Sequence, residues 1–293
     1  MSEATASGTA VRSAELLTHD LPDDLSAAVA TVTRAAERAS VTLVAPPEEV
    51  ARYGRAGLGQ ADGAARPDIC LVLGGDGTIL RALRRFADTG VPIFAVNFGT
   101  IGFLSAVDRD QLEPGLERAF AGDFEVVSLP GLEVSGSGAS HLAMNDVTVT
   151  RRPEAPMAEL SYRLAGEEVG HVRCDGLVAA TPAGSTGYNL ANAGPVMAWG
   201  VEGFAVSFIA PHTLTARALV VAPTDVLEVA NVASREPVMV ACDGAPLVDL
   251  AIGERVEVEF RHGVGSLAQL PGANFYHRMR EKFGLLADRG IRD

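Results

Sequence analysis

Apolar positions along the first 120 residues alternate between strand-like runs and helical spacing. Residues 14–18 form a short strand-like run, and Leu25, Val29, Val32 and Ala36 then recur on one face of a predicted helix. Pro22-Asp23-Asp24 supplies that helix with a start signal. Residues 41–44 predict a second strand, and Pro46-Pro47-Glu48-Glu49 predicts a second helix start. Residues 54–66 hold four glycines and an Asp-Gly pair, the composition of an exposed loop. A continuous apolar run at 69–73 follows, then a glycine loop, a helix through Phe86 and a strand at 92–96. Such alternation predicts a parallel sheet covered by helices.

Beyond residue 123 the pattern changes to short β-rich runs, at 125–127, 143–150, 160–164, 177–180, 205–209, 226–229, 237–241 and 255–260. Gly166-Glu167 reads as a hairpin turn, and many strands at close spacing predict a sandwich-like fold. Residues 274–286 turn helical again. The expected organisation is therefore an α/β domain over 1–123, a β-rich domain over 124–268, and a helical tail over 269–293 that returns to the first domain.

Composition narrows the function. With 293 residues, 47% hydrophobic and 21% charged, the chain is globular rather than disordered. Its longer apolar runs, 91–96 and 177–180, fall far short of a membrane span. Residues 1–11 are small and polar with no basic stretch before an apolar run, so no signal peptide is expected. Cys70, Cys174 and Cys242 are widely spaced and odd in number, which fits a reducing, cytoplasmic setting. The six histidines form no His-Glu-x-x-His pair, so a protein-held metal is not expected. A formal charge of −13 opposes nucleic acid as a partner. Lys282 is the only lysine, which excludes both a Walker A loop and a protein-kinase strand lysine. Phosphate chemistry here must rest on backbone amides, arginines and a bound cation.

Three segments carry candidate chemistry. Gly74-Gly75-Asp76-Gly77-Thr78 joins the buried run at 69–73 to a helix. Glycines let backbone approach a phosphate, and a helix N-terminus offers free N–H groups and the positive end of a dipole. Asp76 sits at that end, and Arg81 lies one turn beyond Gly77. The alternative is a tight turn whose aspartate caps the helix. Asn97-Phe98-Gly99-Thr100-Ile101-Gly102-Phe103-Leu104 follows the next strand, again at its carboxyl end, where parallel sheets place their ligand crevice. Third comes Arg173-Cys174-Asp175-Gly176, a strand, and Thr181-Pro182-Ala183-Gly184-Ser185-Thr186-Gly187-Tyr188-Asn189. Ser185 and Thr186 can cap a following helix, and Tyr188 supplies either a stacking face or a core ring.

In order, these segments resemble the ATP-NAD kinase family over roughly residues 12–286. The shared features are Gly-Gly-Asp-Gly-Thr at 74–78, Asn-x-Gly-x-x-Gly-Phe-Leu at 97–104, a pair at Asn145-Asp146, Asp175-Gly176, the 181–188 turn, and Pro211-His212-x-Leu214-x-x-Arg217. Gly-Gly-Asp-Gly alone also occurs in diacylglycerol and sphingosine kinases; the ordered set is more specific. The resemblance implies an α/β domain plus a β-rich, NAD-binding domain, assembled as a homodimer or homotetramer. It implies phosphoryl transfer from ATP (or polyphosphate), with Mg²⁺, to the 2′-hydroxyl of the adenosine ribose of NAD, Asp76 accepting the proton. By the same resemblance Gly74, Gly75, Gly77, Thr78 and Arg81 line the nucleotide site. Asn145 and Asp146 hold ribose or base polar groups, Arg173 and Asp175 contact the other half of the dinucleotide, and Ser185, Thr186, Gly187, Tyr188 and Asn189 surround an adenine. The chain departs from the family at Asp146 (usually glutamate), Gly187 (alanine), Ala191 (often serine) and Ala193-Gly194-Pro195 (Gly-Gly-Pro). Asp243-Gly244 resembles a second family Asp-Gly but reads by itself as a hairpin turn. Trp199 and the phenylalanines between 204 and 283 read as core, and Glu113, Glu117 and Arg118 as a solvated helix face. A lipid kinase and a non-catalytic NADP-binding regulator are the competing readings.

Overall fold

The computed structural model describes residues 5–6, 8–19, 25–54, 57–61, 63, 65–100, 102–136, 138–232, 236–273 and 275–283. The helix start expected at Pro22-Asp23-Asp24, and the positions Ile101, Asn274 and 284–286, lie outside the described residues. The chain forms two compact units, one of residues 2–128 with 265–293 and one of residues 129–264. The sequence pattern places these limits at 123 and 268. Among the described residues no helix is long and apolar enough to cross a membrane.

The first unit is α/β, with a mostly parallel sheet. Its strands lie in the order Gly59–Gln60, Thr42–Ala45, Ser13–Thr18, Ile69–Gly74 and Ile93–Asn97, followed by the end of Arg255–Gln269 at Leu267. Gly59–Gln60 falls in the segment expected to be a bare loop; its pairing with Val44 and Ala45 makes it a two-residue edge strand. From Ser13–Thr18 the chain winds outward through Thr42–Ala45, then crosses back to place Ile69–Gly74 on the other side of Ser13–Thr18. That reversal is a topological switch point, and loops at the carboxyl ends of the two flanking strands diverge to leave a crevice.

Burial explains the elements. Ile69–Gly74 and Ile93–Asn97 are buried at every position, as central parallel strands must be. Helix Ser26–Ala39 buries Ala28, Val29, Val32, Ala35 and Ala36 on one face and stops where Ser40 turns left-handed at φ 57°. Pro47 opens helix Pro47–Tyr53 at a position where its missing N–H costs nothing. Helix Asp76–Arg85 buries Ile79, Leu80, Ala82 and Leu83. Helix Leu112–Phe120 turns Glu113 outward, where it pairs with Arg38 at 2.8 Å.

The second unit is antiparallel. One sheet runs Leu219–Val221, Phe204–Ile209, Gly176–Ala180, Asp146–Arg151, Val238–Cys242, Ala245–Leu250; the other includes Glu167–Cys174, Ala158–Leu164, Leu227–Asn231 and the start of Arg255–Gln269. One buried cluster draws Val147, Leu177 and Val240 from the first sheet and Leu160, Val229 and Val258 from the second. The run expected at 143–150 is in fact two strands, Ala139–Ala143 and Asp146–Arg151, broken at Met144 and Asn145. Glu167–Cys174, expected only as the far side of a turn, is a full strand. Its mostly exposed, polar positions hide the apolar alternation.

Candidate functional site

In the α/β unit the site is built at the switch point. Gly75 precedes helix Asp76–Arg85, and no side chain caps that helix, so the capping alternative for Asp76 does not hold. Its carboxylate instead faces the following loop: Oδ2 accepts from Phe103 N–H at 3.1 Å and Oδ1 from Leu104 N–H at 3.2 Å. That loop is shaped by Asn97, whose Oδ1 accepts from Gly99 N–H at 2.9 Å and whose Nδ2 donates to Asp108 at 3.0 Å. Gly102 is required there: it sits at φ +63°, and a Cβ would lie 2.3 Å from the Asn97 amide.

Beside the glycine loop is a cavity of about 620 Å³ lined by Gly74, Gly75, Gly77, Thr78 and Arg81, by Phe98–Thr100, and by His19 at the end of the neighbouring strand. This volume is within the range of small-molecule sites, about 300–1,000 Å³. Arg81 is anchored at its edge: Nη2 donates to Thr18 O at 2.6 Å and lies 3.6 Å from buried Glu49. Glu49 also accepts from Thr18 N–H at 3.0 Å and from the Thr18 hydroxyl. Neither His19 nor Glu49 is legible as a site residue from the sequence; both depend on which strand neighbours which.

In the β-rich unit the remaining expected residues fall into two groups. Asn145-Asp146, Thr181 and Gly184 come together, at the start of the turn that runs on to Tyr188. Thr181 N–H donates to Asn145 O at 2.8 Å, and the Thr181 hydroxyl donates to Met144 O at 2.8 Å while accepting from Gly184 N–H at 3.0 Å. Gly184 packs so close that a Cβ would lie 2.1 Å from Asn145 O. Asn145 Oδ1 is buried and accepts no hydrogen bond among the described residues, which leaves it free to accept from a ligand donor. Arg173 and Asp175 come before strand Gly176–Ala180, at the end away from Thr181, and are ion-paired, Arg173 with Glu159 at 3.1 Å and Asp175 with Arg151 at 2.5 Å.

Ser185 and Thr186 do not cap helix Tyr188–Ala191. The Ser185 hydroxyl is buried between Pro182 O at 2.7 Å and Met197 N–H at 2.9 Å, and Thr186 donates to Ala183 O at 3.2 Å. Asn189 is buried as well, its Nδ2 donating to Ser185 O and Pro195 O. These three therefore shape the turn. Tyr188 is 43% exposed, which is a presented ring and not a core one.

Asp243 is the residue the sequence understated. Its turn is real, with φ 47° at Asp243 and 76° at Gly244, yet its carboxylate accepts from three successive backbone N–H groups. Those are Met144 at 3.0 Å, Asn145 at 2.7 Å and Asp146 at 3.1 Å. This claim on the amides is what breaks the strand at Met144 and Asn145. Burial, with the Asp243 charge next to it, pushes Asp146 up to about 7. Among the described residues no three His, Cys, Asp or Glu side chains cluster as a metal set.

Comparison with known proteins finds the following likenesses. Residues 25–124 match the ATP-NAD kinase N-terminal domain, and residues 144–266 match the ATP-NAD kinase C-terminal domain. The chain is 35% identical over 253 residues to an NAD kinase of Symbiobacterium thermophilum, covering 84% of this chain and 89% of that one. It is 32% identical over 234 residues to an NAD kinase of Geobacter sulfurreducens, covering 78% and 82%. Among solved structures, an NAD kinase from Archaeoglobus fulgidus in complex with ATP superposes with a TM-score of 0.70 at 29% identity, covering 93% and 97%. Yeast NADH kinase complexed with NADH shares the fold, with a TM-score of 0.86 at 21% identity over 97% and 91%.

Proposed function

This chain belongs to the ATP-NAD kinase family and is a phosphotransferase; on that premise we propose that it transfers the γ-phosphoryl group of ATP to the adenosine 2′-hydroxyl of NAD. The observation that carries the reading is Asp76, pinned through both carboxylate oxygens beside a cavity lined by glycines at the switch point. Each oxygen keeps a further lone pair for an incoming hydroxyl proton. A carboxylate so held cannot swing away as the nucleophile approaches, which suits a general base.

Phosphoryl transfer needs alignment and charge stabilisation more than covalent chemistry. In this proposal the amides of Gly74, Gly75 and Gly77 and the guanidinium of Arg81 steady the donor phosphates, with the Thr78 hydroxyl close by. A magnesium ion carried by ATP neutralises developing charge, its ligands being triphosphate oxygens and water. Asn145 and Asp146 bind ribose or base polar groups, and Tyr188 with Thr186 and Gly187 meets the adenine. Asp175 and Arg173 are assigned to the other half of the dinucleotide. Assembly as a homodimer or homotetramer is part of the same proposal.

Incubation with Mg²⁺-ATP and NAD, read by an NADP-specific dehydrogenase, tests it. Asp76→Asn keeps the size and one accepting oxygen, so NAD affinity should hold while turnover falls by about 10²–10⁴-fold. An NAD analogue lacking the adenosine 2′-hydroxyl should bind but accept no phosphate. A phosphate monoester formed on that analogue would sink the assignment of the acceptor.

A further inference from the structure

Asp76 owes its placement to two peptide groups, and each is held at its other end. A peptide unit is planar and trans, so its N–H and the preceding C=O point in opposite directions and move as one body. The Phe103 N–H that binds Asp76 Oδ2 shares its plane with Gly102 C=O, which accepts from the Ser105 hydroxyl at 2.9 Å. The Leu104 N–H that binds Asp76 Oδ1 shares its plane with Phe103 C=O, which accepts from Arg278 Nη1 at 3.2 Å. Gln269 completes the frame: its Nε2 donates to Leu104 O at 3.2 Å, and its Oε1 accepts from Arg278 Nη2.

These groups come from far along the chain yet lie within one compact unit. Gln269 ends the strand Arg255–Gln269 and is 2% exposed; Arg278, on helix Phe275–Phe283, is 8% exposed. The helix is fastened here by an edge-to-face contact of Phe275 with Phe103, centroids 5.6 Å apart. Burying a guanidinium is costly unless its charge and donors are used. Burial indeed disfavours the charged form of Arg278, and the carboxylates of Asp108, Asp76 and Glu281 favour it. A cation at the carbonyl end of a peptide also polarises its N–H and strengthens the bond that N–H makes to a carboxylate.

We propose that Arg278, oriented by Gln269, is a positioning residue for Asp76, acting through the plane of the Phe103–Leu104 peptide. The inference rests on Asp76 being the proton acceptor. Arg278 does not touch the reacting atoms; it holds the amide that holds the base.

The test is a kinetic split in the full-length protein. Arg278→Gln removes the charge and the donor to Phe103 O, which frees that peptide to rotate. Turnover should fall by about 10–100-fold, the cost of small misplacements of a catalytic group, with KM for NAD and for ATP held within about twofold. Arg278→Lys, which keeps the charge and one donor, should recover part of the loss. In an Asp76→Asn background, Arg278→Gln should cost nothing further in turnover, because there is no base left to position. Unchanged kcat with a lowered melting temperature would overturn the proposal, as would a loss that adds in full to that of Asp76→Asn. Wild-type turnover in Asp76→Asn alone would sink the base reading and this proposal with it, whereas the other two outcomes sink only the positioning role. Should Arg278→Gln fail to fold, Gln269→Leu, which leaves the guanidinium but removes its orienting amide, is read by the same split.

Discussion

Asp146 offers a test of the candidate residues in the β-rich unit that needs no substrate. Its carboxyl is 8% exposed and sits beside the Asp243 carboxylate, and it is pushed up to about 7. In the unfolded chain an aspartate titrates near 3.9. The folded state therefore holds a proton that the unfolded state has lost over a window from about pH 4 to pH 7. A raised folded value means the stabilisation is complete below the unfolded value and is lost as pH climbs through the folded one. Each unit of separation is worth about 1.4 kcal/mol, so roughly three units give about 4 kcal/mol across the window. Asp146→Asn is neutral throughout and nearly isosteric, so it should escape this loss. Denaturant unfolding of wild type and variant at half-unit steps from pH 5.5 to 8.5 would read it. The variant should gain on the wild type by about 2 kcal/mol between pH 5.5 and 7, then hold a constant offset. Parallel stability curves across that range would refute a proton held by buried Asp146 beside the Asp243 charge.

Two further changes probe the same unit. Tyr188→Ala should weaken NAD binding by about 1–3 kcal/mol, read by calorimetry, if the ring stacks on a base. Because the side chain is 43% exposed, its melting temperature should barely move. Gly184→Ala places a Cβ 2.1 Å from Asn145 O, so the Asn145-Asp146 turn must shift. That overpacking should cost about 1–3 kcal/mol of stability and lower NAD affinity together, measured by thermal melting and calorimetry on one preparation.

What the sequence disclosed follows from how local each signal is. The run at 69–73 is buried on both faces, so its apolar content alone announces a central strand, and the glycine loop is contiguous with it. Tyr188 and Asn145-Asp146 were visible as motif positions, but their accessibility was not. Glu167–Cys174 is hidden because it is a sheet-edge strand with Glu167, Glu168, His171 and Arg173 turned to solvent, so the hydrophobic alternation that marks a half-buried strand is confined to residues 171–174. The family resemblance makes Ser185 and Asn189 ligand contacts, and in the structure both side chains are buried and bind backbone carbonyls. Hydroxyl and amide groups serve ligands and backbone carbonyls equally well, and burial decides between the two.

The residues that escaped the sequence share a physical reason. Asp243 lies 98 positions from Asn145, whose amide it binds, and Arg278 lies 175 from Phe103, whose carbonyl it binds. In both cases a charged side chain is spent on backbone, so no pattern of neighbouring side chains betrays it. An Asp-Gly pair reports its turn and conceals its carboxylate; an arginine on an amphipathic tail helix reports a polar face. The loop at 102–105 that binds Asp76, and the break at Met144 and Asn145, are irregular backbone outside any strand or helix. Irregular backbone near a ligand must still satisfy its N–H and C=O groups and stay put. Remote charged side chains meet both needs at once, since a charge-assisted bond to a peptide group is stronger and more directional than a neutral one. The ordering of a loop at a reaction centre is thus to be sought in what binds its main chain, and in these two units Asp243 and Arg278 do so alongside Asn97 and Thr181 of the motifs themselves.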